Sequence, residues 1–528
     1  MENLFLISLI PAFIYLYLKN KKSMQMLQQN FYNTGNRYLK WLGSNLKKEF
    51  LTQELFFVIF LTTIYLENNL AYFLVFIFYT LLIILYKQKL RKEQTKIKLN
   101  VTARIKRMRI TYAILYFLII AVMYFNFNTC FGINYFIIGL LIYLDALVLN
   151  LVNIINKPVE KCVFLHFKRQ AKQKLKDNPN MDVIGITGSY GKTSSKNILD
   201  DILNVKFQSF KTPKNFNTTY GLILTLNNYL DSFNDYFIAE MGAFKKGEIK
   251  ELCDLVKPKY GIITKIGTAH LTSFGSQENI QSGKMELVES LPSDGVAILN
   301  KDDELQVSYK MKNDCKVIWI GIDESADVMA KNIKLSASGT TFDVIFNGDK
   351  TNYKFSTKLL GKANIYNILA SIALGKYLGL TIEELQRGVL KVNQIKHRLE
   401  LKKVNDITYI DDAYNSNPVG SKMALDVLKL MDGKKIVVTP GMIELGDLQY
   451  DLNFDFGKQI AEVADTVILV GETQTKPILD GLKAKKYKDK NIYVINDVKE
   501  AFTIVQKIKD KDTFVLLEND LPDLFNEG

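Results

Sequence analysis

The segment Asp182-Val-Ile-Gly-Ile-Thr-Gly-Ser-Tyr-Gly-Lys-Thr-Ser194 constrains the fold more than any other part of the chain. An apolar run ends in Gly188-x-x-Gly191-Lys192-Thr193-Ser194, and Lys196 to Leu203 continues as a helical pattern. A buried strand that turns through glycines into a helix brings backbone N–H groups and a helix dipole to one point, which is an anion cradle. Gly188, Ser189, Tyr190, Gly191 and Ser194 would line it, Lys192 would reach β- and γ-phosphates, and the Thr193 hydroxyl would bind magnesium. The strict spacing G-x-x-x-x-G-K-[ST] is not met, because Ile186 stands where the first glycine belongs. A plain strand-to-helix turn is the bland alternative. The extra glycine, with a strand before and a helix after, favours nucleotide binding.

The sequence around this loop has the matching texture. Short β-branched runs (Val183–Thr187, Tyr236–Ala239, Tyr260–Thr264, Val296–Asn300, Lys435–Thr439, Thr466–Val470) alternate with amphipathic stretches, which points to parallel α/β layers. Between Asp327 and Phe355 the pattern changes, and Asn332–Asp343 and Thr351–Phe355 read as strands of a local antiparallel piece. A boundary falls near Gln394–Arg398. The expected organisation is a P-loop ATPase-like α/β central domain over residues 181–395 and a smaller, Rossmann-like α/β C-terminal domain over 396–528.

The first 160 residues are different. The chain carries a net charge of +13, yet residues 19–49, 87–109 and 157–176 alone hold +6, +9 and +6, so the rest is acidic. Each basic stretch adjoins an apolar run: Leu4–Leu18, Leu55–Leu66, Leu70–Tyr86, Ile110–Phe127 or Ile133–Ile155. Basicity confined in this way is a membrane signature, not a nucleic-acid footprint, so no nucleic-acid partner is expected. With turns at Glu67–Asn69 and Asn128–Gly132, five transmembrane helices would keep all three basic stretches in the cytoplasm. The expectation is a multi-pass protein of the cell membrane, in contact with lipid, with its α/β domains in the cytoplasm. A soluble helical bundle is the alternative. Leu4–Leu18 lacks the basic leader and small-residue cleavage site of a signal peptide. The four cysteines, Cys130, Cys162, Cys253 and Cys315, form no C-x-x-C pair and fit a reducing compartment.

Further motifs follow the loop in a definite order. They are Asn215-Phe-Asn217-Thr218, Ile238-Ala-Glu240-Met-Gly242, Ile266-Gly-Thr-Ala-His270-Leu, Lys284-Met-Glu286, Leu299-Asn300-Lys-Asp-Asp303, His397-Arg398-Leu-Glu400, and Ile410-Asp-Asp-Ala-Tyr-Asn-Ser-Asn-Pro418. This series resembles the Mur ligase family, the ATP-dependent amide ligases of peptidoglycan precursor synthesis, and within it the MurF-type branch. The resemblance implies ATP and Mg2+ as cofactors and an acyl phosphate as intermediate. It makes Lys192, His270 and Lys284 catalytic, the last as a carbamylated lysine, and Thr193, Glu240, His270 and Lys284 metal ligands. It gives Asn300, Arg398 and Asp412 to ATP, and Asn215, Asn217, Thr218 and Asn415 to substrate. The partners implied are a carboxylate acceptor, either a UDP-MurNAc-peptide or a lipid-linked precursor, and an amine donor.

Three departures bear on those partners. Nothing before Met181 looks like a uridine site. Ala363 stands where the family has histidine. The tail reads Glu518-Asn519-Asp520 where MurF-type enzymes carry a basic Lys-Gly-Ser-Arg element. Two other readings follow: a ligase of a lipid-linked envelope precursor or polyamide, similar to poly-γ-glutamate synthetases, and a non-catalytic membrane scaffold with a degenerate ATP site.

Overall fold

The computed structural model describes residues 2–50, 52, 54–55, 69–92, 98–125, 131–336, 338–414, 416–443 and 445–520. The chain forms two compact units, Met1–Leu165 and His166–Gly528.

The first unit is helical, with long helices at Ile10–Gln29, Asn69–Lys92 and Ala103–Phe125 and two shorter ones at Phe131–Tyr143 and Asp145–Ile155. Its interior holds polar side chains as well as apolar ones. Asp145 is fully buried and accepts hydrogen bonds from Asn20 (2.9 Å), Ser23 (2.5 Å) and Tyr112. Lys19 donates to Glu54 at 2.7 Å and to the Tyr143 carbonyl at 2.9 Å. Buried polar groups of this kind persist only when paired.

The five-span expectation is not met. Among the described residues two helices, Tyr72–Arg91 and Ala103–Phe125, are long and apolar enough to cross a membrane. The pair Asn134–Tyr143 and Asp145–Ile155, bent by 79°, would add a third only if it were one span. Leu4–Leu18 is divided between Glu2–Ser8 and a helix that runs on through Lys19, Lys21 and Lys22. Leu55–Leu66 lies outside the described residues from position 56 onward, as do turn residues 67–68 and 128–130, with Cys130. Average hydropathy cannot distinguish a lipid-facing helix from one that buries its polar side chains against a neighbour.

The second unit is built on two sheets. The strands of the first are β1 (Asp182–Thr187), β2 (Ser209–Lys211), β3 (Tyr236–Glu240), β4 (Tyr260–Ile263), β5 (Val296–Asn300), β6 (Lys316–Gly321), β7 (Val328–Ser336), β8 (Gly339–Phe346) and β9 (Tyr353–Thr357). Their order is β2-β3-β1-β4-β5-β6-β7-β8-β9, parallel as far as β7 and antiparallel beyond. Ile184, Ile186, Ile238, Ile262 and Ile298 pack against Ile198, Leu199 and Ile202 of helix Lys192–Leu203 and Ile368, Leu369 and Ile372 of helix Lys362–Tyr377. Each such side chain contributes roughly 1.5–3 kcal/mol by burial. The stretch expected as one strand, Asn332–Asp343, is a hairpin. Its turn ends at Gly339, where a Cβ would lie 2.3 Å from the Thr357 carbonyl and φ is +142°. The antiparallel strands do not stand apart, since β7 pairs with β6 and prolongs the main sheet.

The second sheet consists of β10 (Glu400–Val404), β11 (Ile407–Asp412), β12 (Lys434–Thr439), β13 (Thr466–Val470), β14 (Ile492–Ile495) and β15 (Thr513–Glu518), in the order β10-β11-β15-β12-β13-β14. Apolar residues cover both of its faces: Ile410, Val437, Leu469 and Leu516 belong to one cluster and Ile436, Val438, Ile468 and Val515 to another. This is the double-sided burial of a parallel sheet. In such sheets, ligands bind beyond the carboxyl ends of the strands.

Candidate functional site

At the carboxyl end of β1 the chain turns through Gly188 (φ +150°) and Gly191 (φ +82°) into helix Lys192–Leu203. A Cβ at Gly188 would lie 2.0 Å from Thr264 Oγ1, and one at Gly191 would lie 3.2 Å from Asn367 Oδ1, so glycine is required at the first and favoured at the second. Ser189 N–H donates to the Lys265 carbonyl at 2.8 Å, which ties the loop to the end of β4. Lys192 Nζ lies over the loop and donates to the carbonyls of Gly188 (2.7 Å) and Ser189 (3.1 Å). Burial lowers its pKa to about 8, opposed by Glu240 and reinforced by Arg398.

Glu240 ends β3, beside β1 in the sheet. Its Oε1 accepts from the Thr193 hydroxyl and from Asn217 Nδ2, both at 3.1 Å, and its Oε2 lies 2.9 Å from Lys196 Nζ. His270 follows β4 in a left-handed conformation (φ +62°), its ring centroid 4.5 Å from that of Phe244. Ser189, Tyr190, Gly191, Lys192, Thr193, Asn217, Glu240 and His270 line one cleft, whose opposite wall is Arg398, Tyr414, Ser416 and Asn417 beside the second sheet. The Arg398 guanidinium stacks on the Tyr414 ring at 4.4 Å.

Lys284 lies just behind this lining, in the middle of helix Gln277–Glu289 and 1% exposed. Its Nζ donates to the carbonyl of Ala243, a cleft residue, at 3.2 Å. Burial, with Lys192 adding to it, holds the amine well below the usual lysine range. A neutral amine is the form that can add carbon dioxide, so its surroundings suit the expected carbamylation. A Cβ at the neighbouring Gly283 would be 2.8 Å from the Phe274 ring, which lies 5.2 Å from Lys284 Nζ, so the helix comes close to Phe274 there.

The other expected site residues lie outside the lining. Gly188 and Ser194 are buried in the loop and the first turn of the helix. Asn300 ends β5 and its Oδ1 accepts from the Asp302 N–H at 3.0 Å. Asp412 accepts from the Leu399 N–H at 3.2 Å. Asn215 is exposed, Thr218 caps helix Thr219–Tyr229, and Asn415 lies outside the described residues. Tyr414, Ser416 and Asn417 of the motif Ile410–Pro418, and Lys196, were not among the residues expected from the sequence. A triple of metal-ligating types, His397, Glu400 and Asp411, already holds a cation, because Lys402 Nζ lies 3.0 Å from Glu400 and 2.6 Å from Asp411.

Below the cleft wall, Glu518 of β15 is paired in register with Asp412 of β11. Glu518 is fully buried; its Oε1 accepts from the Ser416 hydroxyl at 2.6 Å and its Oε2 has no hydrogen-bond partner among the described residues. Burial, then the Asp412 charge, pushes its pKa well above the usual carboxylate range. A carboxyl with a raised folded-state pKa contributes stability that is complete below its unfolded pKa and is lost as pH rises through the folded one. Glu518→Gln keeps the Ser416 acceptor and removes the charge. Its melting temperature at pH 8 is expected to exceed the parent's by about 2–4 °C, with no advantage at pH 4.5. A thermal melt series across that range checks it, and equal offsets at both pH values would place the effect elsewhere.

Comparison with known proteins defines the class. Residues 186–375 match the Mur ligase middle domain and residues 397–517 the Mur ligase, glutamate ligase domain, more than half of the chain between them. The chain belongs to the Mur ligase family. Its relatives narrow the likeness. It is 34% identical over 295 residues to the UDP-N-acetylmuramoyl-tripeptide–D-alanyl-D-alanine ligase of Bacillus subtilis, a match covering 55% of this chain and 63% of that protein. The structure superposes on MurF from Acinetobacter baumannii with a TM-score of 0.60 and 26% identity, over 69% of this chain and 78% of that one. A MurF ligase from Thermotoga maritima in complex with ADP gives 0.60 and 25%, over 69% and 82%. The chain thus spans less than two thirds of the length of its Bacillus relative. These relatives lend no support to a multi-pass location in the cell membrane, and that expectation falls together with the five-span count.

Proposed function

We propose that the chain is an ATP- and Mg2+-dependent amide ligase of the MurF type, joining an amine to the carboxylate of a peptidoglycan precursor. The observation that supports this most is the single cleft in which Lys192, Thr193, Glu240 and His270 face Arg398, Tyr414 and Asn417. On this reading residues 181–395 and 396–528 act as two domains that meet across the nucleotide.

Glu240 and Thr193 offer the oxygen ligands that magnesium takes and shares with phosphate. Glu240 Oε1 and the Thr193 hydroxyl are 3.1 Å apart at the cleft. Thr193, Glu240, His270 and a carbamylated Lys284 would hold it. Bound there, magnesium would neutralise phosphate charge and orient the γ-phosphate. The loop amides and Lys192 bind the β- and γ-phosphates, and Arg398 holds the ribose and α-phosphate from the opposite wall. The acceptor carboxylate attacks the γ-phosphorus and ADP leaves. The amine then attacks the acyl carbon, the carbon–oxygen bond to phosphate breaks, and phosphate and a proton are released. Asn217, held at Glu240, would orient the acceptor. Positioning and electrostatics carry such a reaction.

The names of the relatives specify UDP-N-acetylmuramoyl-tripeptide and D-alanyl-D-alanine, and these are the substrates to try first. A lipid-linked acceptor, a polyamide acceptor and a bound membrane lipid find no counterpart in those names. Purified full-length chain with ATP, Mg2+ and both substrates should release phosphate and form the pentapeptide, and omission of either substrate should stop both. Phosphate release that ignores both substrates would defeat the reading. Thr193→Val, which removes one hydroxyl at constant shape, should raise the Mg2+ concentration for half-maximal turnover by about tenfold. An unchanged Mg2+ dependence would take Thr193 out of the cation site.

A further inference from the structure

Lys196 lies one helical turn beyond Lys192 on helix Lys192–Leu203, and its side chain is directed inward. It is 1% exposed, as is Glu240, and its Nζ lies 2.9 Å from Glu240 Oε2. The same ammonium donates to the Lys214 carbonyl at 2.5 Å, in the segment that carries Asn217. Glu240 is therefore divided. Oε2 faces a buried cation, and Oε1 faces the cleft, where Thr193 and Asn217 donate to it. Three pieces of the site meet at one charge: the loop helix, the end of β3 and the segment 214–217.

The geometry points to Lys196 as a positioning residue that limits Glu240 to one available oxygen and weakens its hold on a divalent cation. A carboxylate with both oxygens free can chelate, and a full negative charge in a buried site attracts a cation strongly. With Oε2 tied to an ammonium, the pair is near neutral, and a divalent ion meets repulsion a few ångströms behind its ligand. The site then has modest affinity for the bare ion and gains it when phosphate oxygens arrive with the nucleotide. Such an ion can leave with product. The ammonium also keeps Asn217 in register with Oε1, so its loss loosens the cleft even as it frees a ligand oxygen.

The inference rests on the reading of Glu240 as a cation ligand, and one experiment separates the two. Full-length parent, Lys196→Met and Lys196→Gln are titrated with Mn2+ alone, and free Mn2+ is followed by electron paramagnetic resonance, with circular dichroism to establish folding. The parent should bind Mn2+ weakly. Both variants should bind it at least fivefold more tightly, while substrate-dependent phosphate release falls at least tenfold. A merely structural lysine would not tighten metal binding when removed. Affinity unchanged or reduced in a folded variant overturns the role of Lys196 and leaves the cation site standing. No binding to the parent overturns the site itself. Failure of both variants to fold also overturns the inference, by making the buried pair a requirement of the fold.

Discussion

Lys192→Ala should lose amide-forming turnover by roughly a thousandfold, the scale on which a preorganised charge facing a phosphoryl group matters. The expected loss is specific because the side chain does little for the fold. Among the described residues its Nζ donates to two carbonyls of its own loop, Gly188 and Ser189, and both belong to residues anchored in other ways. Gly188 is confined by Thr264 and the Ser189 N–H is held by the Lys265 carbonyl. Stability should change by less than about 1 kcal/mol. Steady-state phosphate release and a thermal melt on the same preparation check both halves. Turnover close to the parent's would remove the loop from the chemistry.

The second large effect is expected at Lys284. Lys284→Ala deletes a buried amine whose pKa burial holds well below the usual lysine range, and turnover should fall by about a hundredfold or more. If the lysine acts through an oxygen ligand acquired on carbamylation, formate or acetate in the assay should restore part of the activity by filling the vacated space. Lys284→Arg, cationic and unable to carry a carbamate, should stay inactive under rescue. Full activity of the alanine variant without any carboxylate would reduce Lys284 to a packing residue. Recovery with Lys284→Arg would show that charge alone suffices.

The parts of the site legible in the sequence were those fixed by local backbone chemistry. Gly188 and Gly191 declare the loop because no other residue type turns a strand into a helix so tightly around an anion. Glu240 stood out because a carboxylate at the end of an apolar strand needs a partner. What that partner is could not be read. In sequence Lys196 is one more lysine on an amphipathic helix, and only the packing of that helix against β3 turns it inward. The same holds for Glu518, an acidic residue near a chain end until β15 is paired with β11 and both of its faces are covered. Tyr414, Ser416 and Asn417 belong to a motif whose spacing could be read, but their joining Lys192 in one cleft depends on how the two sheets are brought together. In the helical unit, averaged hydropathy read apolar runs as spans and gave no weight to Asn20, Ser23, Tyr112 and Asp145. Those four are scattered over 126 positions and meet only after folding.

That meeting has a mechanical consequence. Helices packed through oily side chains alone can slide past one another, since neighbouring turns offer nearly equivalent grooves. A one-turn slip of the helix Ile10–Gln29 would move Asn20 and Ser23 by about 5.4 Å along its axis and take both of these donors from the Asp145 side chain. A buried polar group deprived of partners costs about 1–3 kcal/mol, more than a slipped apolar contact would recover. The bundle therefore has a single alignment, set like the teeth of a key by one aspartate, and force applied at one end of the helix is transmitted along it instead of being absorbed by slippage.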